Sequence, residues 1–177
     1  MSAAPKRKER VGPYRLDVVW PDPSEEMRQR VIEFWKRFEA LPPNAPAAGQ
    51  DRAKQLVIVA QNDEGEIAAV STAYRGQINQ LGFPCFHYRT FVAPEHRKLW
   101  VLSLDLFQAS YAVLNDRFQQ GIDKDVLGIY MELQNAGLNR QFKYAVWEVD
   151  GMNVVYIGKS PQGLHRRVWY FDGARVP

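Results

Sequence analysis

The stretch from Pro84 to Val92, PCFHYRTFV, places Cys85, His87, Arg89 and Phe91 on one face of an extended chain and Phe86, Tyr88, Thr90 and Val92 on the other, because successive side chains of a strand alternate. A second β-like stretch, VLGIYMEL from Val126 to Leu133, alternates Tyr130, Glu132 and the following Gln134 with Ile129, Met131 and Leu133. An imidazole and a carboxylate in two such rows suit proton transfer. His87 has an unperturbed pKa near neutrality, and Glu132 becomes a comparable base when burial raises its pKa. Either is a candidate to take the proton an attacking amine must lose, directly or through water. Cys85 beside His87 suggests a thiol nucleophile, but same-face neighbours on a strand stand ~7 Å apart, too far for direct proton transfer. His87, His96 and His165 lack metal-ligand spacing with one another or with the cysteine, so no metal site is expected.

The first row runs into VAPEHRKLWVLSLDLF, Val92 to Phe107. A chain that leaves a strand, turns at Pro94, passes Arg97 and Lys98 and enters a long helix aims free backbone N–H groups at an anion. Cations at a helix start oppose the macrodipole, which favours an anion nearby. Yet Trp100 and Leu102 stand where close backbone approach calls for glycine. Trp100 also heads the helix's apolar stripe, continued by Leu104, Phe107, Tyr111, Leu114 and Phe118, with Asp105, Gln108, Asn115 and Asp116 off that line. The expectation is a weakened phosphate cradle in which Trp100 fills the space a glycine would leave.

These residues need elements to hold them. Tyr14 to Trp20 reads as a first strand. Asp22 is the expected N-cap of the next helix, with Pro23 at its first position and Glu25 closing a capping box. Met27, Val31, Phe34, Phe38 and Leu41 form that helix's core line. The proline-rich LPPNAPAAG, Leu41 to Gly49, reads as a loop. Gln55 to Ala60 and Glu66 to Tyr74 form a hairpin. The strand from Pro84, the long helix and the strand from Val126 make a crossover joining two parallel strands. YAVWEV, VVYIG and RRVWYF close the chain as β segments. The fold class is therefore α/β: one domain over 13–177, with a mixed and mostly antiparallel sheet, one splayed parallel pair and helices on both faces. Residues 1–12 are expected to be a disordered basic tail. A crevice at the carboxyl ends of the parallel pair is the expected ligand site.

Composition narrows the function. The chain has 177 residues and a formal charge of +3, all of it accounted for by the run Lys6 to Arg10. The remaining body is neutral and makes no electrostatic case for nucleic acid. No apolar stretch reaches the length of a membrane span. A single cysteine, Cys85, excludes an intrachain disulfide and fits a reducing, cytoplasmic setting.

On these features the chain resembles the GNAT superfamily of N-acyltransferases. The resemblance covers the element order from about Tyr14 to the C-terminus, and at motif level Val92-Ala93-Pro94, Arg97 and the helix after it. It implies an acyl-CoA or acyl-carrier thioester as donor and a small-molecule or peptide amine as acceptor, with an acyl carrier protein as a possible partner. It also implies that backbone N–H groups near Phe91 and Val92 polarise the thioester carbonyl, that Arg97 and Lys98 meet phosphate, and that Trp100 borders the cofactor. The family's Arg/Gln-x-x-Gly-x-Gly/Ala loop is matched here by Arg97-Lys98-Leu99-Trp100-Val101-Leu102 at its first position, and both glycines are missing. The family's tyrosine acid follows an Asn and a short helix. NAGLNRQFKYAVW does not keep that spacing, and Tyr144 is the nearest candidate. The alternative reading is a non-catalytic binding module that keeps the fold and has lost coenzyme A.

Overall fold

In a computed structural model of the chain, residues 10–41, 46–97, 101–141, 143–149 and 151–177 are described. The strands are β1 (Arg10–Val11), β2 (Tyr14–Val18), β3 (Leu56–Gln61), β4 (Ile67–Ile78), β5 (Phe83–Val92), β6 (Gly128–Glu132), β7 (Val146–Val149), β8 (Met152–Lys159) and β9 (His165–Tyr170). The helices are α1 (Glu25–Arg37), α2 (Pro46–Ala53), α3 (Val101–Gln119) and α4 (Ala136–Gln141), with a 3-10 turn over Pro94–His96. The strands form one sheet in the order β1-β2-β3-β4-β5-β6-β9-β8-β7. β5 and β6 pair in parallel, in the register Phe86↔Ile129 and His87↔Tyr130. This is the parallel pair expected from the strand, helix, strand order, and β5 runs on to Val92 past its last partner on β6. Packing gathers into two compact units, one of residues 10–73 and Arg89–Val113, the other of Tyr74–Tyr88 and Leu114–Pro177.

In the first unit, α1 is capped by Ser24, whose Oγ accepts from the Met27 N–H at 3.2 Å. This corrects the expectation of Asp22 as cap. Pro23 lies before the helix, and Glu25 reaches forward to Arg28 and Gln29 at 2.6 and 2.7 Å rather than back to close a box. The helix buries Val31, Ile32, Phe34 and Trp35 against Val59 and Val70. Met27, Phe38 and Leu41 border that cluster instead of forming its line. The stretch expected to be wholly loop, Leu41 to Gly49, runs into α2, which opens at Pro46. Proline suits a helix's first position because the N–H it lacks would have no intrahelical partner, and the alanines after it are strong helix formers.

Ser71 follows Val70 on β4 and therefore faces the other way. Its hydroxyl meets Ser110 of α3 at 2.9 Å and accepts from the Ile58 N–H at 3.1 Å. Thus α1 and α3 cover opposite faces of this part of the sheet. α3 is buried almost all round: Asp105, Gln108, Ser110 and Asn115 are buried beside Leu106, Phe107 and Tyr111. Asp105, Gln108 and Asn115, which lie off the expected apolar stripe, are thus buried as well. β1 pairs with β2, Arg10 opposite Arg15, so regular structure begins inside the stretch expected to be tail. Residues 1–9 lie outside the described residues.

In the second unit β6, β9, β8 and β7 are antiparallel neighbours. Gly128 is required where β6 meets β9, since a Cβ there would stand 2.4 Å from the Trp169 carbonyl oxygen.

Candidate functional site

The second unit brings His87 and Glu132 into one cluster. The His87 ring stacks on Tyr74, with centroids 4.7 Å apart and planes at 17°, and lies 4.8 Å from the ring of Tyr130. The Tyr130 hydroxyl donates to Glu132 Oε1 at 2.7 Å, and Arg166 Nε donates to the same oxygen at 3.0 Å. Sheet register explains the ion pair, because Glu132 and Arg166 are cross-strand partners on β6 and β9. Gly76 completes the pocket of the imidazole: a Cβ there would stand 2.7 Å from His87 Cδ2 and Nε2.

Electrostatics separate the two candidate bases. Burial alone would raise the pKa of Glu132, but the Tyr130 hydroxyl, the Arg166 guanidinium and His87 together outweigh it and hold the carboxyl below its ordinary value. Glu132 is therefore a fixed anion and a weak base. Tyr130 is pushed the other way, first by burial and then by its hydrogen bond to Glu132, which makes it a poor acid. Cys85 is fully buried, and burial raises its pKa to about 12, so the thiol stays protonated and is no nucleophile. Tyr130 as a ring partner and Arg166 as an ion-pair partner were not singled out in the sequence as site residues. The alternation of Tyr130 with Glu132 carried the first signal, and the second needed the β6–β9 register.

Tyr144 stands apart. It is 72% exposed, its hydroxyl has no hydrogen-bond partner among the described residues, and only its carbonyl is engaged, by Arg167 Nη2 at 3.0 Å. The segment before it is ordered by asparagines. Asn135 Oδ1 caps α4 through the N–H groups of Gly137 and Leu138 at 2.7 and 3.2 Å, and Asn139 links the Leu133 carbonyl to the His165 N–H. An asparagine, a short helix and a following tyrosine are therefore all present, although the spacing did not suggest it.

The first unit holds the end of β5. The Ala93 N–H donates to Ala68 of β4 at 2.9 Å, while the Pro84 carbonyl accepts from Leu127 on the other side at 3.2 Å. Strand alternation then turns the Phe91 N–H toward β4 and the Val92 N–H away from it. Of these two expected carbonyl-polarising groups, Val92 is the one directed off the β4 ladder. The Phe91 side chain packs in the α1 cluster, 5.6 Å from Phe34. Arg97 Nε donates to the Val92 carbonyl at 2.8 Å and its guanidinium lies 5.4 Å from the Phe91 ring centre. Its Nη groups carry no hydrogen bond to the described residues. His96 is engaged by the Tyr14 hydroxyl at 2.8 Å. Lys98 and Trp100 lie outside the described residues, so the expected filling by Trp100 falls there too. Leu102 is buried in the core at 4% exposure. At this end of β5 the groups the sequence assigned to a donor are thus a backbone N–H turned off the β4 ladder and a guanidinium held to the Val92 carbonyl by its Nε alone.

No family model matches the chain. No curated protein matches it either. Solved structures do. A bacterial toxin superposes with a TM-score of 0.56 at 14% identity, over 90% of this chain and 91% of the toxin. The ribosomal-protein-S5-alanine acetyltransferase of Vibrio fischeri gives 0.52 at 9% identity, over 91% and 93% of the two chains. A mutant of the AtaT toxin, bound to the C-terminus of the antitoxin AtaR and acetyl-CoA, gives 0.52 at 10% identity over 90% and 94%. The chain has the GNAT fold. At such identities the likeness speaks for the fold alone, and the chemistry of this GNAT-fold chain has to be argued from its own residues. Among the described residues no group of three or more His, Cys, Asp and Glu is placed to hold a metal ion. No helix among them is long and apolar enough to cross a membrane.

Proposed function

We propose that the chain is a divergent N-acyltransferase that moves an acyl group from an acyl-CoA or acyl-carrier thioester to an amine of a small molecule or peptide. The observation that carries this reading is the His87 cluster: an imidazole held by two aromatic rings beside a carboxylate kept anionic. When bound, the thioester supplies an activated carbonyl. His87 takes the proton that the attacking amine releases. Glu132, locked by Tyr130 and Arg166, supports the imidazolium that forms and acts through position and charge rather than as the base. The Val92 N–H is the donor available to the carbonyl oxygen as negative charge develops there. Arg97 holds a donor phosphate. Tyr144 is the candidate for protonating the departing thiolate, with an exposed side chain.

The test is release of free thiol from acetyl-CoA in the presence of a panel of amines and amine-bearing peptides. His87→Ala is expected to fold and to lower turnover about 10²–10⁴-fold, the usual contribution of a general base. Full activity of that variant on an identified acceptor would overturn the assignment of the base. Absence of turnover by the parent chain with every acyl-CoA and carrier thioester would favour the binding-module reading.

A further inference from the structure

The first unit also contains two buried hydrogen-bond donors brought together with no acceptor. The guanidinium carbon of Arg52, in the last turn of α2, lies 4.8 Å from the ring centre of Trp35 on α1. Trp35 is completely buried. Its Nε1–H and the Arg52 Nε–H are both shielded from solvent and have no hydrogen-bond partner. Buried donors in folded proteins are almost always satisfied, because each one left open is destabilising. Stacking of guanidinium on indole accounts for the ring contact. It leaves both N–H groups without an acceptor.

Charge points the same way. Among the described residues no carboxylate forms an ion pair with Arg52. Burial and then the positive charge of Arg89 lower its pKa to about 10. A guanidinium stacked on a buried indole, next to a second cation, lacks the one group that would satisfy both its charge and its donor: an oxyanion.

We propose that Arg52 and Trp35 form a binding site for an oxyanion, a carboxylate or a phosphate, carried by a ligand of this protein. The oxyanion accepts from Arg52 Nε–H, and the indole N–H of the ring it packs on is a second donor without a partner. Arg89 adds attraction from β5. The site lies wholly within the first unit and stands whether or not the chain transfers acyl groups.

The test uses the full chain, labelled with ¹⁵N, with the Arg52 Nε–H and Trp35 Nε1–H signals assigned by triple-resonance experiments and checked in Arg52→Met and Trp35→Phe. Inorganic phosphate and acetate are titrated separately at constant ionic strength against chloride. Both signals are expected to move along saturable curves with one shared dissociation constant in at least one arm, and the arm that binds more tightly identifies the kind of oxyanion. Arg52→Met should weaken that binding at least tenfold. Unsaturable drift of both signals in both arms, or equal affinity in a folded Arg52→Met variant, would overturn the proposal. If Arg52→Met does not fold, the curves of the unmodified chain decide alone.

Discussion

The cluster around His87 and the contact between Trp35 and Arg52 are built from similar parts, aromatic rings and an arginine, and they end in opposite states. At His87 the carboxylate beside the ring is fully engaged and the ring itself is held by stacking. Two rings hold the imidazole, a tyrosine hydroxyl and an arginine share one carboxylate oxygen, and a glycine makes the room. At Arg52 a cation and an indole face each other with donors open. The first arrangement pairs its charges within the chain, Glu132 with Arg166, and is suited to holding a base in one orientation. The second is complete only when something from outside supplies an acceptor. Polar networks in low dielectric are costly when partly satisfied, so the difference separates a group that positions from a group that binds.

The largest effect is expected from breaking the His87 side without touching a polar atom. Gly76→Ala places a methyl group where His87 Cδ2 and Nε2 now stand, and the ring, pinned between Tyr74 and Tyr130, has to leave its position. Acyl transfer should fall at least tenfold, in kcat more than in KM, with the fold retained. Because both substitutions remove one oriented base, Gly76→Ala combined with His87→Ala should be no slower than His87→Ala alone. Full additivity of the two losses would show that Gly76 acts elsewhere.

A smaller effect sharpens the same comparison through pH. The folded pKa of Glu132 lies below its unfolded value, so its ionisation contributes stability that is present above the unfolded carboxyl pKa and is lost as pH falls through the folded value. Glu132→Gln removes that dependence. Urea unfolding from neutral to acidic pH should show a shallower acid limb for the variant. At neutral pH the variant should lose about 1 kcal/mol, the scale for a pair whose two side chains are each 28% exposed. Parallel acid limbs would mean that Tyr130 and Arg166 do not stabilise the anion.

How much of this was legible in the sequence follows from the range of the interactions involved. The parallel pairing of β5 with β6 was readable because strand, long helix and strand can close in few ways. The His87 and Glu132 rows followed from alternation alone. Burial of Asp105 and Gln108 was not readable, since a helical pattern shows which side is apolar and cannot show that the polar side is covered as well. Ser24 displaced Asp22 as cap because three neighbouring residues offered plausible helix starts, and only the backbone chose among them. Arg166 and the Trp35–Arg52 contact depend on residues distant in sequence. No local pattern announces them. The short helix α2 was hidden by prolines that mark a loop in most contexts, one of which opens a helix here.

The smallest effect belongs to the unsatisfied side, and its smallness is the point. Arg52 makes no hydrogen bond or ion pair with the described residues, and its burial is opposed by its own charge. Removing a partnered charge leaves its partner stranded, whereas removing an unpartnered one strands nothing. Arg52→Met keeps most of the stem that covers the indole and deletes the open donor together with the charge. In chloride buffer its unfolding free energy should stay within about 0.5 kcal/mol of the parent or rise. Adding phosphate or acetate at the concentration that saturates the parent should then stabilise the parent and leave the variant unchanged, since only a ligand bound to the folded state shifts the balance. A loss above about 1 kcal/mol in Arg52→Met, without any anion, would mean that the guanidinium already contributes fully to the fold through its stacking on Trp35. The two regions would then differ in composition and not in kind.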